Sequence, residues 1–272
     1  MAALPQPLGK FFGDRGPHLA AMIAYFALLS FVPLLFLTVS LLAVAGRPGE
    51  STFLVTELKR AFPGSSVSSI VHTVRAIQKH ATALGLVGGA ALLWTSLSLF
   101  SVLESAFNIV YGQPNRSFLR GKLLAVGLML LSLVTLFVGL LAGSFGFDLL
   151  KRYAAGFAAN SYVAYGLSVA VSLVAVFVFL VAVYYLLTNV EHSFADVLPG
   201  AITAAIVLEA SFQVLPIYVR FSNNVVALKA FGGPALLLVW LYVMANVMVF
   251  GAEVNWWLSE GRGEPEEVPG LA

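Results

Sequence analysis

Three carboxylates stand in stretches of the chain that are otherwise apolar, and each has an amide on the same helical face. Glu209 has Gln213 four residues on, Glu104 has Asn108 four residues on, and Glu253 has Asn246 seven residues before it. At these spacings both members of a pair lie on one side of a helix. Within hydrocarbon, a carboxylate beside an amide can exchange a proton or form the polar wall of a substrate path. The competing reading is a carboxyl that is protonated or hydrogen-bonded to a neighbouring helix. Arg116, Arg120 and Lys122 follow the Glu104–Asn108 pair, and Arg220 follows Tyr218 much later in the chain. A basic set of this kind can contact an anionic lipid head group. Its plain alternative is interfacial anchoring, because long cationic side chains snorkel at helix ends. Pro33 and Pro216 each remove one backbone hydrogen bond from an apolar run, so both are candidate helix kinks.

Little else in the chain points to chemistry. His18, His72, His80 and His192 have no metal-ligand spacing and share no helix face with a carboxylate. There is no cysteine, which excludes disulfides, thiol catalysis and Cys-ligated zinc. No phosphate loop, dinucleotide fingerprint or Gly-x-Ser-x-Gly elbow occurs. A nuclease would need carboxylates or histidines clustered in a wet basic cleft. The expectation is a chain with no cofactor, no metal, no nucleic-acid partner and no enzymatic activity.

The elements that must position these residues follow from composition. Of 272 residues, 60% are hydrophobic and only 10% charged, against roughly 25% charged in soluble domains. That leaves too little polar surface to coat a water-soluble globule. A helix needs about 20 apolar residues to cross the hydrocarbon core, and six stretches qualify: 20–45, 84–111, 123–150, 163–187, 197–219 and 233–258. None alternates apolar and polar residues as a barrel strand would. The predicted fold is therefore all-α, a polytopic membrane protein with six transmembrane helices. The run from Leu19 to Ala45 is too long for a secretory signal core and reads as a retained first span.

Residues 1–19 form an N-terminal segment, 20–258 the transmembrane domain and 259–272 an acidic tail. The connection 46–83 carries apolar residues at helical spacing among Lys59, Arg60, Arg75 and Lys79. This suits short amphipathic helices on a membrane surface, or a simple cap on the bundle. The short loop 113–122 holds three basic residues and no acidic one. Positive-inside weighting of short loops then favours both termini in the cytoplasm.

Several motifs together resemble the YihY/BrkB family of bacterial inner-membrane proteins. They are Ala24-Tyr25-Phe26-Ala27-Leu28-Leu29-Ser30-Phe31-Val32-Pro33 in the first span, and Glu104-Ser105-Ala106-Phe107-Asn108-Ile109-Val110-Tyr111 with Arg116-Ser117-Phe118 at the end of the second. Leu198-Pro199-Gly200-Ala201, Leu208-Glu209-Ala210 and Tyr218 follow in the fifth span. Val239-Trp240-Leu241-Tyr242 and Gly251-Ala252-Glu253-Val254-Asn255 complete the set in the sixth. The resemblance covers nearly the whole chain. It implies a six-helix inner-membrane bundle with cytoplasmic termini and a link to envelope integrity, and it brings an old ribonuclease label that the residues argue against. The segment Thr188-Asn189-Val190-Glu191-His192 departs from it, lacking the proline and basic residues usual there.

The function expected from these readings is transport: a flippase-like protein for lipids or envelope precursors, with Glu209 at mid-membrane. The alternative is a non-transporting organiser of envelope integrity that binds partner proteins. Membrane lipids, anionic ones among them, envelope proteins and further copies of the chain are the candidate partners.

Overall fold

The structure is a computed structural model describing residues 6–44, 81–132, 134, 161–191, 193–222 and 226–259. Among these residues every regular element is helical. A short α1 (Gln6–Gly13) precedes α2 (Gly16–Val44), α3 (Ala81–Val110) and α4 (118–132). After α5 (Ser161–Leu187), a 3-10 turn (Phe194–Val197) leads into α6 (Leu198–Ser222) and α7 (Val226–Ser259). Residues 46–80 of the expected connection 46–83, most of the expected third span beyond 132, and the tail after Ser259 lie outside the described residues, while 81–83 already belong to α3.

Leu86–Val110, Val169–Leu187, Phe194–Val214 and Leu237–Ser259 are long and apolar enough to cross a membrane, and Gly16–Phe31 is a shorter apolar stretch. At 1.5 Å per residue, the five long helices measure about 37–51 Å, more than a hydrocarbon core of about 30 Å. They begin near the expected starts, except that α2 opens at Gly16 and α7 at Val226, well before the apolar runs themselves. The helix ladder satisfies its own backbone, so polar end residues can join it. Pro33 and Pro216 both fall within continuous helices.

The faces of these helices tell where lipid lies. On α5, Leu180, Val183, Tyr184 and Leu187 are buried at spacings of three and four, the pattern of one packed stripe. The opposite face carries exposed Val171, Val174 and Val178. On α3, Phe100, Leu103 and Phe107 face inward while Leu86, Val87 and Trp94 are exposed. In water the outer faces would be polar. Here they are as hydrophobic as the core, which is what a hydrocarbon solvent permits.

α7 is the hub and packs on α1, α2, α3 and α6, while α5 packs on α6 and α3. Small residues make the α6–α7 crossing close. Gly200 and Ala204 meet Gly251, and Ala201 and Ala252 next to them in sequence are buried, the arrangement by which membrane helices bring their backbones together. A Cβ on Gly200 would fall on the carbonyl oxygen of Gly251, and one on Gly251 would meet the hydroxyl of Tyr184.

Candidate functional site

Most of the polar side chains picked out by type and spacing lie at one end of this bundle. The C-terminal ends of α3, α5 and α7 meet there with the N-terminal ends of α2, α4 and α6. Three polar knots hold them.

The first knot is built on Arg116, in the loop between α3 and α4. Its guanidinium donates to the carbonyls of Leu187 (2.5 Å) and Thr188 (2.7 Å), the last turn of α5. A helix C-terminus presents carbonyls with no intrahelical partner and a partial negative charge, so a fixed cation there is favourable. Glu104 Oε1 accepts from the Arg116 backbone N–H (3.1 Å) and stands 3.6 Å from its guanidinium. Asn108, fully buried, accepts from Asn189 N–H (2.8 Å) and donates to Asn115 Oδ1 (3.1 Å). Asn189 in turn donates to the carbonyl of Pro114 (2.9 Å). The Glu104–Asn108 pair therefore joins helix ends.

The second knot centres on Lys10. Its ammonium donates to the carbonyl of Val110 (2.6 Å), pairs with Asp14, lies 3.2 Å from Glu253 Oε2 and sits 4.3 Å from the centre of the Trp256 ring. Glu253 is wholly buried, and neither of its oxygens has a hydrogen-bond donor among the described residues. The lysine is thus its counter-charge. α1 is held over the bundle end by this contact and by Phe11, whose ring packs edge-on against Phe250 at 6.0 Å. Arg15 closes α1 at φ 57°, the left-handed position that glycine ordinarily takes. Asn246, expected on the Glu253 face, donates instead to the Tyr242 carbonyl of its own helix (2.7 Å).

The third knot is the α6–α7 crossing itself. Gly200 N–H donates to Asn255 Oδ1 (2.6 Å), and the buried Tyr184 hydroxyl donates to the Met248 carbonyl (2.8 Å). Tyr184 also meets Phe107 edge-to-face at 5.3 Å, so one side chain ties α5 to both α3 and α7.

Glu209 stands apart from all three. It is the twelfth residue of α6, about 16 Å along the helix and so near mid-span. It is buried between α6 and α5, where Ser172 donates to its Oε2 (2.7 Å) and Gln213 to its Oε1 (2.8 Å). Gln213 is exposed, so the polar trio reaches the outer face of the described helices. Of the basic residues, Arg120 is exposed, while Lys122 turns towards α3 and donates to Ser101 Oγ (2.9 Å) and the Leu97 carbonyl (3.3 Å). The side chains of Arg220 and Pro216 lie outside the described residues. No group of three or more metal-ligating side chains occurs among the described residues.

Spacing within the sequence gave no sign of three of these partnerships. Lys10 reaches Glu253 across more than two hundred residues, Ser172 reaches Glu209 from another span, and Gly200 pairs with Asn255. The one available signal was a lone lysine before the first span, together with a buried acid in the last that needed a cation.

A bundle of long helices, apolar on both their inner and outer faces, defines an integral α-helical membrane protein. The chain belongs to the family of virulence factor BrkB, which matches residues 8–270, as the motifs led one to expect. It is 26% identical to the ribonuclease-like protein YfkH of Bacillus subtilis, with 99% of each chain covered. It is also 26% identical to a UPF0761 membrane protein of Chromohalobacter salexigens and 25% identical to one of Pseudomonas aeruginosa. In those two matches 96% and 93% of this chain is covered, but it spans only 64% and 62% of the relatives' own length. No solved structure matches the chain.

Proposed function

We propose that this chain is a transporter, flippase-like in action, for lipids or envelope precursors in the bacterial cytoplasmic membrane. The observation that carries the reading is the contrast between Glu209 and the other two acids. Glu104 and Glu253 are taken up in contacts that fasten helix ends together. Glu209 is held at mid-span by two neutral donors and opens through Gln213 to the outer face. A carboxyl kept near the bilayer centre costs roughly 2.5–3.5 kcal/mol on insertion scales. A polar step part-way across the hydrocarbon would lower the barrier to a head group or carry a coupled proton.

On this reading the chain crosses the bilayer six times, with both termini cytoplasmic. Helix direction supports the count. α2, α4 and α6 start at the pinned end and α3, α5 and α7 finish there, the alternation that six spans would give. The role needs no covalent step, and we take the protein to be a carrier without catalysis. The name of the Bacillus relative describes that protein; here the polar groups lie in apolar surroundings and bond to neighbouring helices, which favours transport over hydrolysis.

The transporter and organiser readings separate in cells lacking the chain and showing an envelope defect. Glu209→Gln should fail to restore the envelope at normal protein level, while substitutions in the connection 46–83 should restore it. The opposite pattern would favour an organiser that works through partner proteins.

A further inference from the structure

An open hollow of about 530 Å³ lies beside the C-terminus of α5, lined by Arg116, Tyr185, Thr188, Val190 and Glu191. Ligand sites commonly enclose about 300–1,000 Å³. The walls bring together a cation and an anion. Arg116 is anchored by the carbonyls of Leu187 and Thr188, so its planar fork is already positioned. Those two bonds use one N–H on each terminal nitrogen, and Glu104 Oε1 stands 3.6 Å from Nη1, so three of its five N–H donors remain for a second anion. Glu191 is exposed in the segment that follows α5. Tyr185 and Phe194, both exposed, lie against one another with ring centres 5.6 Å apart. Aromatic rings at helix ends sit at the level of lipid head groups.

A guanidinium fork recognises phosphate oxygens, and a carboxylate recognises an ammonium. We propose that this hollow binds a phosphoethanolamine group, with the phosphate on Arg116 and the primary amine on Glu191. A purely anionic head group would set its charge against Glu191, so an amine-bearing phosphate fits better than the anionic lipid suggested by the basic residues alone. The inference names the substrate class within the transport reading and rests on that reading for its role. The same chemistry is offered by a phospholipid head group and by soluble phosphoethanolamine.

The test is a titration of the full chain, purified in neutral detergent, with native mass spectrometry as readout. The probes are dihexanoyl phosphatidylethanolamine, dihexanoyl phosphatidylglycerol and free phosphoethanolamine. The wild type should prefer the ethanolamine lipid, and Glu191→Gln should weaken that lipid alone by about threefold to fivefold, the scale of an exposed ion pair. Glu191→Lys should reverse the preference. Equal affinities in the wild type, or a preference that survives Glu191→Gln, would overturn the assignment. Free phosphoethanolamine binding as tightly as the lipid would support the site and assign it to a soluble ligand; much weaker binding would support the site and assign it to the lipid. Selective binding without lipid translocation would remove the transport reading and leave this site standing. Translocation without selectivity would remove only the site.

Discussion

Lys10 and Glu253 show how one buried charge sets the demands on another. Glu253 is fully buried and its only cation is Lys10 among the described ion pairs. Removing one partner of a buried pair typically costs about 3–5 kcal/mol, because the other is left uncompensated. Lys10→Ala should therefore lower stability by about 3 kcal/mol, read as thermal unfolding in detergent. Adding Glu253→Gln should recover part of that loss, since the two sites are in contact. A double variant as unstable as the sum of its parts would show that the pair is not coupled. Arg15 makes the reverse prediction. Its left-handed backbone strains any residue bearing a Cβ, so Arg15→Gly should raise stability by about 0.5–1 kcal/mol in the same measurement. Types and spacing alone picked out Glu104, Glu209 and Glu253, because a carboxylate in hydrocarbon always needs a reason. They could not say which reason applied, because the partners come from other helices.

At the scale of elements, hydrophobic length made the helices legible to within a few residues at most ends. It could not see how they cross, because a helical glycine with open space around it looks the same in sequence as one beneath another helix. Gly200 and Gly9 separate the two cases. Both are helical, but a Cβ on Gly200 would collide with the backbone of Gly251, while one on Gly9 would have nothing within 4 Å. Gly200→Ala should thus cost about 2–3 kcal/mol through overpacking that backbone cannot relieve. Gly9→Ala should gain about 0.5–1 kcal/mol from helix propensity. Equal responses in thermal unfolding would mean that α6 and α7 do not touch at Gly200. The same close approach explains why Tyr184 can reach the Met248 carbonyl, since Gly251 leaves room for its hydroxyl. α6 is therefore fastened at its first turn and carries Glu209 further along.

For the whole molecule, composition made the solvent plain: with so few charges the chain has to live in lipid. The membrane class and the family were both legible from sequence. The gathering of six helix ends was not, because it depends on which ends face each other. The absence of cysteine makes that arrangement directly testable. Single cysteines at Gln113 and Ser193, both exposed in connections at the pinned end, should react with an impermeant maleimide from the same side of sealed vesicles. Labelling from opposite sides would contradict the gathering of these helix ends. Transport past Glu209 is tested most directly by translocation of dye-labelled phospholipid between leaflets of proteoliposomes, with folded protein matched between samples. Movement with the wild type, lost with Glu209→Gln, is the expected result. Undiminished movement in the Glu209→Gln vesicles, or none with the wild type across ethanolamine and glycerol lipids, would contradict it.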